Sequence, residues 1–291
     1  MAVSTYALTS LSSLKTSLGL SALETDKDAI LEDSIDRATS IIESFVDRKL
    51  KSRTHYEWVQ PSGDRSITLD NPPIRTIDTI SFGRQDALVI TSDTASSDVL
   101  ATVGFDGSEV RLRKVAANGT ATTATLAADT YPTTASLVTQ INASVAGWSA
   151  TLTESAYTRS LFRFGGRGVK DAPCHLDFPR DNVSEYEVEH AIGIIHITTD
   201  RFPGIRSDDA AANRFPGGFY PVFVQYEGGY ETVPGDLEQA CIEMAGDLYR
   251  DRLSDRLLQQ EALGDYNYTR VTPDVLLARR SSLLDSYREI R

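Results

Sequence analysis

Residues 222–241 read VFVQYEGGYETVPGDLEQAC, and within them the sequence changes from a strand pattern to a helix pattern. Val222 to Tyr226 is rich in β-branched and aromatic residues, which is typical of a strand, and Gly228-Gly229 ends it. Pro234 precedes the helix, at a place where its missing N–H does no harm. The segment therefore predicts a strand that leads into a long helix.

The helix after Pro234 and two helices predicted further upstream each have an apolar face. In the helix after Pro234, Asp236 is the predicted N-cap, Gln239 takes the capping-box position, and the apolar stripe is Leu237, Cys241, Met244 and Leu248. A second helix follows a predicted cap at Thr25-Asp26, and its charged face includes Glu43. Its apolar positions are Ile30, Leu31, Ile35, Ala38, Ile41, Ile42, Phe45 and Val46. A shorter helix before it, capped by Thr9 or Ser10, ends at Gly19.

Residues 83–185 differ in composition, being rich in Thr, Ala, Ser and Gly. Asp106-Gly107 between two apolar runs predicts a hairpin, and Thr133 or Thr134 is positioned to cap a short helix. The fold class predicted for the chain is α+β. An α-helical core with a few strands comprises residues 1–82 and 186–291, including a C-terminal arm, and a β-rich domain is inserted at 83–185.

The composition limits the classes of function. The chain has 291 residues and a formal net charge of −12, so a broad basic surface for nucleic acid is disfavoured. Its two cysteines are too few for a disulfide framework, and no apolar run approaches the roughly 20 residues of a membrane span. The N-terminus lacks a secretory signal pattern. We expect a soluble protein made in a reducing cytosol, with no membrane partner.

No motif supports catalysis or cofactor binding. The histidines (His55, His175, His190 and His196) lack metal-ligand spacing, and Cys174-His175 side chains point to opposite sides of an extended chain. Glu185, Glu187 and Glu189 alternate as a solvated strand face would. The glycine-rich residues 164–168 lack the Lys-Ser/Thr of a phosphate loop. The sequence therefore predicts no enzyme, no metal site and no cofactor.

Two distant stretches together resemble the head–tail connector (adaptor) family of tailed bacteriophages. The first stretch runs from Leu14-Lys15 to Arg48-Lys49-Leu50 and continues to Asn71-Pro72-Pro73-Ile74. The second comprises Val224 to Tyr230 (VQYEGGY), Val233-Pro234-Gly235-Asp236-Leu237, Ala240, Tyr249-Arg250 and Gly264-Asp265-Tyr266. The family writes the latter as Tyr-x-Gly-Gly-Tyr or Tyr-x-Ala-Gly-Tyr, then Pro-x-Asp-Leu. The resemblance covers residues 8–82 and 186–291 and leaves out the middle.

The resemblance implies a non-enzymatic, homo-oligomeric ring, usually a dodecamer, seated under the portal protein. Such a ring extends the channel for genomic DNA, which passes without sequence recognition, and docks the next tail or stopper protein. The implied location is the virion head–tail interface, after synthesis in the host bacterial cytoplasm.

Four acids recur every fourth residue on the predicted helix after Pro234: Glu243, Asp247, Asp251 and Asp255. On a lone helix this is a solvated face that nearby arginines partly neutralise. Around a DNA path, the same acids would repel phosphate and let the duplex slide. The hypothesis is that they line the channel.

The C-terminal arm is the predicted portal-docking element. Tyr266 to Val271 is predicted to be an extended linker, and a last helix begins at Thr272-Pro273. The predicted docking residues are Leu276, Arg279, Arg280, Leu283, Leu284, Tyr287, Arg288 and Ile290. The alternative is that this helix folds back on its own subunit.

Two other functions stay open. The alternative reading is a binding module, in which the inserted β domain recognises a carbohydrate or a tail-spike or fibre partner. A cell-wall hydrolase ranks third, because the sequence offers neither a credible acid pair nor a zinc set.

Overall fold

The computed structural model describes residues 3–61, 64–93, 98–183, 185–197, 221–253, 260–263, 266–269 and 280–288. Its α-helices are α1 (Leu11–Leu18), α2 (Asp28–Val46), α3 (Thr134–Ser144) and α4 (Gly235–Leu253), and residues 280–284 are also helical. Short 3-10 helices span Thr158–Ser160 and Asp285–Tyr287.

Sixteen strands are present in the described residues. They are β1 (Arg53–Val59), β2 (Ser66–Thr68), β3 (Ile74–Phe82), β4 (Gln85–Ser92), β5 (Asp98–Phe105), β6 (Glu109–Ala116), β7 (Ala121–Ala127), β8 (Trp148–Leu152), β9 (Phe164–Gly168), β10 (Cys174–Phe178), β11 (Asp181–Asn182), β12 (Tyr186–Glu189), β13 (Ile194–Ile197), β14 (Val222–Gly228), β15 (Gln260–Leu263) and β16 (Tyr266–Thr269). The sheets have the orders β1-β14-β3-β11, β10-β4-β8, β12-β13-β2, β15-β16 and β7-β6-β5-β9.

The predicted fold class was wrong, because the described residues are mostly β and do not form an α-helical core with a few strands. Eight of the sixteen strands lie outside residues 83–185, where the sequence predicted mainly helices. The strand at Val222 to Tyr226 was among the few predicted there, and it is confirmed as β14. β1 is half-buried along nearly its whole length, so its burial does not alternate between two faces.

The helices outside the middle segment surround one apolar core. Ser10 caps α1 by accepting from Ser13 N, and Gly19 ends it with a left-handed backbone, as predicted. The predicted cap of α2 was wrong, since its N-cap is Lys27 without a side-chain cap bond. α4 begins at Gly235, which leaves Asp236 inside the first turn. Side chains buried in this core include Leu14, Leu31, Ile35, Ala38, Ile42, Leu237, Cys241 and Met244.

A separate apolar core lies within the middle segment and is formed by buried residues between Ala87 and Leu176. The predicted hairpin is confirmed, as β5 pairs with β6 around Gly107. Thr133 caps α3 in a capping box with Ser136. At the segment's ends, Phe82 and Asp181 are paired across β3 and β11, so the chain enters and leaves this region at neighbouring points.

The division into a core and an inserted domain stays a prediction, and expression of residues 83–185 tests it. Strands β4 to β10 pair only with one another, so we expect the fragment to unfold cooperatively on heating. A fragment ending at residue 160 is the matched control, because it loses β9 and β10 and should have no transition. Non-cooperative melting of the longer fragment would contradict the division.

Candidate functional site

The two stretches that carry the family resemblance meet at one junction. The Tyr230 N–H donates to the Leu50 carbonyl at 2.7 Å, and the Ser52 N–H donates back to the Tyr230 carbonyl at 3.0 Å. The Gly229 N–H donates to the Pro73 carbonyl at 2.9 Å. The Gly-Gly-Tyr turn after β14 therefore joins the segment that follows α2 to the Pro-Pro segment in a single backbone network.

A buried carboxylate, Glu43, holds the same junction from the α2 side. It accepts from Lys49 Nζ at 2.8 Å, from Arg53 Nη2 at 2.7 Å and from the Leu50 N–H at 3.2 Å. The Arg53 guanidinium also lies 4.1 Å from the centre of the Tyr6 ring. Helical periodicity placed Glu43 on a charged outer face, so sequence reasoning missed this site; the nearby basic residues Lys49 and Arg53 were the available signal.

The acidic face of α4 is partly neutralised in the structure. Arg280 Nη2 lies 3.0 Å from Asp247 Oδ2, and Arg280 Nε lies 3.4 Å from Glu243 Oε2. Arg250 pairs with Asp247 as well, at 3.4 Å. Asp251 lies one turn further along α4, and Asp255 lies outside the described residues. Glu243 and Asp247 are therefore in ion pairs within this subunit.

The described part of the predicted docking helix packs on its own subunit, which is the alternative that the sequence left open. Leu284 is fully buried in the helical core, and Leu283 and Tyr287 pack against it. The Tyr287 hydroxyl donates to Asp236 at 2.7 Å, and burial with this carboxylate raises the Tyr287 pKa. Arg288 is exposed and lies over the Phe45 ring. Leu276, Arg279 and Ile290 lie outside the described residues.

The segment before it also differs from the predicted extended linker. Tyr266–Thr269 is strand β16 and pairs antiparallel with β15. The pairing gives this part of the arm a hairpin, because two short segments that are close in sequence satisfy each other's backbone groups. The role of the arm in portal docking stays a prediction.

Arg280→Ala is expected to lower the free energy of unfolding by about 1–3 kcal/mol, because it leaves two acids close together without their shared cation. The Arg280 side chain is only 11% exposed, so solvent replaces little of what is lost. Arg252→Ala is the control, since Arg252 is 44% exposed and makes one 3.4 Å pair with Asp33. Urea denaturation measures both; equal losses would contradict a special role for Arg280.

The four histidines each have a different bonding partner. His55 stacks on Tyr226, and burial lowers its pKa to about 4, while the other histidines bond Asp86, the Ile74 carbonyl and Glu189. Burial raises the Cys241 pKa to about 12, which disfavours a thiolate nucleophile. Across the described ranges no group of three His, Cys, Asp or Glu side chains is arranged to hold a metal.

Among the described residues, no helix has both the length and the apolar character that crossing a membrane requires. No family model and no curated protein matches the chain.

Two solved structures are similar to the whole chain. One is described as "Neck of empty GTA particle computed with C6 symmetry", with a TM-score of 0.42, 13% identity, and 100% of this chain and 95% of that chain covered. The other is "Virion of native gene transfer agent (GTA) particle", with a TM-score of 0.40, 14% identity, and 100% and 94% covered.

Proposed function

We propose that this chain is a non-enzymatic structural component of a phage-like particle, namely a ring-forming adaptor at the head–tail interface. The observation that carries the proposal is the junction at Tyr230. The two stretches that resemble the connector family, residues 8–82 and 186–291, are far apart in sequence, yet Gly229 and Tyr230 bond directly to Pro73 and Leu50. Two family-like motifs that contact each other in the structure support the architecture of that family better than two motifs that match it in sequence alone.

In this proposal the ring sits under the portal, extends the DNA channel and binds the next tail or stopper protein. The net charge of −12 suits a wall along which DNA slides without adhesion. Glu243, Asp247, Asp251 and Asp255 remain the proposed lining. Arg280 and Arg250 reduce the charge of that lining, so its repulsion of phosphate is weaker than four free acids would give.

Part of the arm is already buried in its own subunit, which limits the side chains that are able to contact a portal. Leu284 cannot contact a portal without leaving the helical core, whereas Arg288 is exposed where it stands. We therefore propose that the arm presents a basic, exposed surface to the portal. Its apolar residues pack instead against the helical core of its own subunit. Removal of residues 272–291 should then lower both portal binding and thermal stability.

Electron microscopy of the purified full-length chain, alone and mixed with portal rings of its own particle, tests this function. We expect rings with a central opening, dodecameric as the family resemblance implies, and complexes with the portal. Portal rings from an unrelated phage are the control. A chain that stays monomeric and binds neither portal would contradict the proposal.

A groove supports the binding-module alternative. It has a volume of about 410 Å³ and lies between the β3–β14 sheet and residues 155–160. Among the described residues that line it, none is charged and many carry hydroxyls, and Tyr157 is 57% exposed there. Neutral sugars bind through such hydroxyls and aromatic faces.

Calorimetric titration of the full chain with neutral oligosaccharides tests this alternative. Binding that Tyr157→Ala removes, and that Tyr131→Ala outside the groove leaves intact, would support it. The absence of binding would contradict it.

A further inference from the structure

Residues 84–180, which contain the separate core of the middle segment, join the rest of the chain at two neighbouring points. One connection is Gly83, between β3 and β4, and the other is Pro179-Arg180, between β10 and β11. Gly83 has φ of +82°, and the paired residues Phe82 and Asp181 hold the two connections side by side. Two short connections at one place can act as a hinge, because a few backbone angles absorb the rotation.

A second contact joins the two parts at β1, which lies two strands away from β3 in its sheet. The ring of Phe162, from the middle segment, lies 4.8 Å from the ring of Trp58. Trp58 also packs on its cross-strand partner Phe223, at 5.2 Å. Arg159 adds a cation–π contact, with its guanidinium 5.0 Å from the centre of the Tyr56 ring. Tyr56 and Trp58 are alternate residues of β1, so both contacts lie on the same face of the sheet.

Phe162 and Arg159 are fixed from the side of the middle segment. The Phe162 N–H donates to the Asp177 carbonyl at 3.0 Å, and the Arg84 guanidinium lies 5.3 Å from the centre of the Phe162 ring. Arg84 Nε in turn donates to the Asp177 carboxylate at 2.5 Å. Arg159 donates to both carboxylate oxygens of Asp129, at 2.7 and 2.8 Å. These polar groups keep their partners if the ring contacts with β1 separate, so separation leaves no unpaired charge.

A space separates the sheet from the middle segment between the hinge and this contact. It is the groove of about 410 Å³ described above. Phe178, Pro179 and Asn182 line it beside the connections, and Phe223 lines it beside Trp58. The two surfaces are therefore joined at both ends of the groove and apart along it, so a rotation about the connections would widen the groove without breaking either core.

We propose that the middle segment opens and closes over the β1-β14-β3-β11 sheet. Gly83 and Pro179-Arg180 form the hinge, and Phe162 and Arg159 form a latch on β1. The structure shows the closed form, in which the latch sets the orientation of the middle segment. In the open form the groove widens while both parts keep their own cores. Opening takes place within one subunit, so it stands or falls separately from the proposed ring.

Thiol labelling of the full chain tests the latch. Ser81 lines the groove and is only 5% exposed, so Ser81→Cys places a reporter that a maleimide reaches when the middle segment opens. The two natural cysteines are buried, and the chain without the reporter serves as the blank. Adding Phe162→Ala or Arg159→Ala should raise the labelling rate by about fivefold or more, because each removes a contact that holds the closed form.

Two matched controls leave the latch intact. Phe164 packs on the core of the middle segment, and Arg113 is exposed on β6, so Phe164→Ala and Arg113→Ala should label at the rate of the reporter alone. Equal labelling of the latch variants and the reporter alone would overturn the proposal, as would an equal rise in the controls. Loss of cooperative unfolding in both latch variants would overturn it as well, because the two parts would then share one core.

Arg159→Ala keeps the proposal testable if Phe162→Ala fails to fold. The Arg159 side chain is 25% exposed and its partner Asp129 is 77% exposed, so its loss should leave both cores intact. Faster labelling of a folded Arg159→Ala chain would support the latch, and an unchanged rate in that chain would overturn it.

Discussion

Gly229→Ala is expected to lower the free energy of unfolding by about 3–5 kcal/mol, combining backbone strain with overpacking. Gly229 has φ of +97°, a conformation that residues with a side chain rarely adopt. An added Cβ would lie 2.7 Å from the Leu50 carbonyl oxygen and 2.8 Å from the Lys51 carbonyl carbon. Both are backbone atoms of the junction, so relief requires the two family-like stretches to separate.

Chemical denaturation of both glycine variants measures this effect. Gly166→Ala is the matched control, because its added Cβ meets no atom within 4 Å and its φ is not in the left-handed region. We expect that variant to change stability by well under 1 kcal/mol. If Gly229→Ala and Gly166→Ala unfold at the same denaturant concentration, then the turn is not in close contact with Leu50 and Lys51. The Tyr230 junction would then not be important for stability.

The sequence predicted that the strand ends at Gly228-Gly229, but it did not show why a glycine is required at position 229. Two adjacent glycines after an apolar run indicate the end of a strand, and β14 ends at Gly228. Nothing local reveals that Gly229 lies against Leu50, about 180 residues away, because such a contact depends on how α2 and β14 meet. The same limit applies to Arg280, whose acidic partners on α4 are not its neighbours in sequence.

Local signals explain which elements were predicted well. Ser10 and Gly19 bound α1, and Thr133 caps α3, since caps act within a few residues. β1 pairs with β14, which comes much later in the chain, so nothing in the sequence around β1 reveals its partner. A helix carries its hydrogen bonds within itself, whereas a strand does not, which is why the strand content was underestimated.

Glu43→Ala is expected to lower the free energy of unfolding by about 3–5 kcal/mol, because it leaves buried cationic and N–H donors without their acceptor. The carboxylate is 7% exposed, and Arg53, one of its two cations, is 18% exposed. Glu24→Ala is the control, since that side chain is exposed in the loop before α2. Thermal and urea denaturation measure the difference, and equal stability of the two variants would contradict the buried site.

A second substitution distinguishes an unpaired charge from lost packing. If the loss in Glu43→Ala comes from the Arg53 guanidinium left without its carboxylate, then Arg53→Met in the same chain should restore part of it, because the uncompensated charge is gone. Arg53→Met alone should cost less than Glu43→Ala, since Lys49 and the Leu50 N–H still neutralise and bond the carboxylate. A double variant that is less stable than both single variants would show instead that packing against Tyr6 holds the junction.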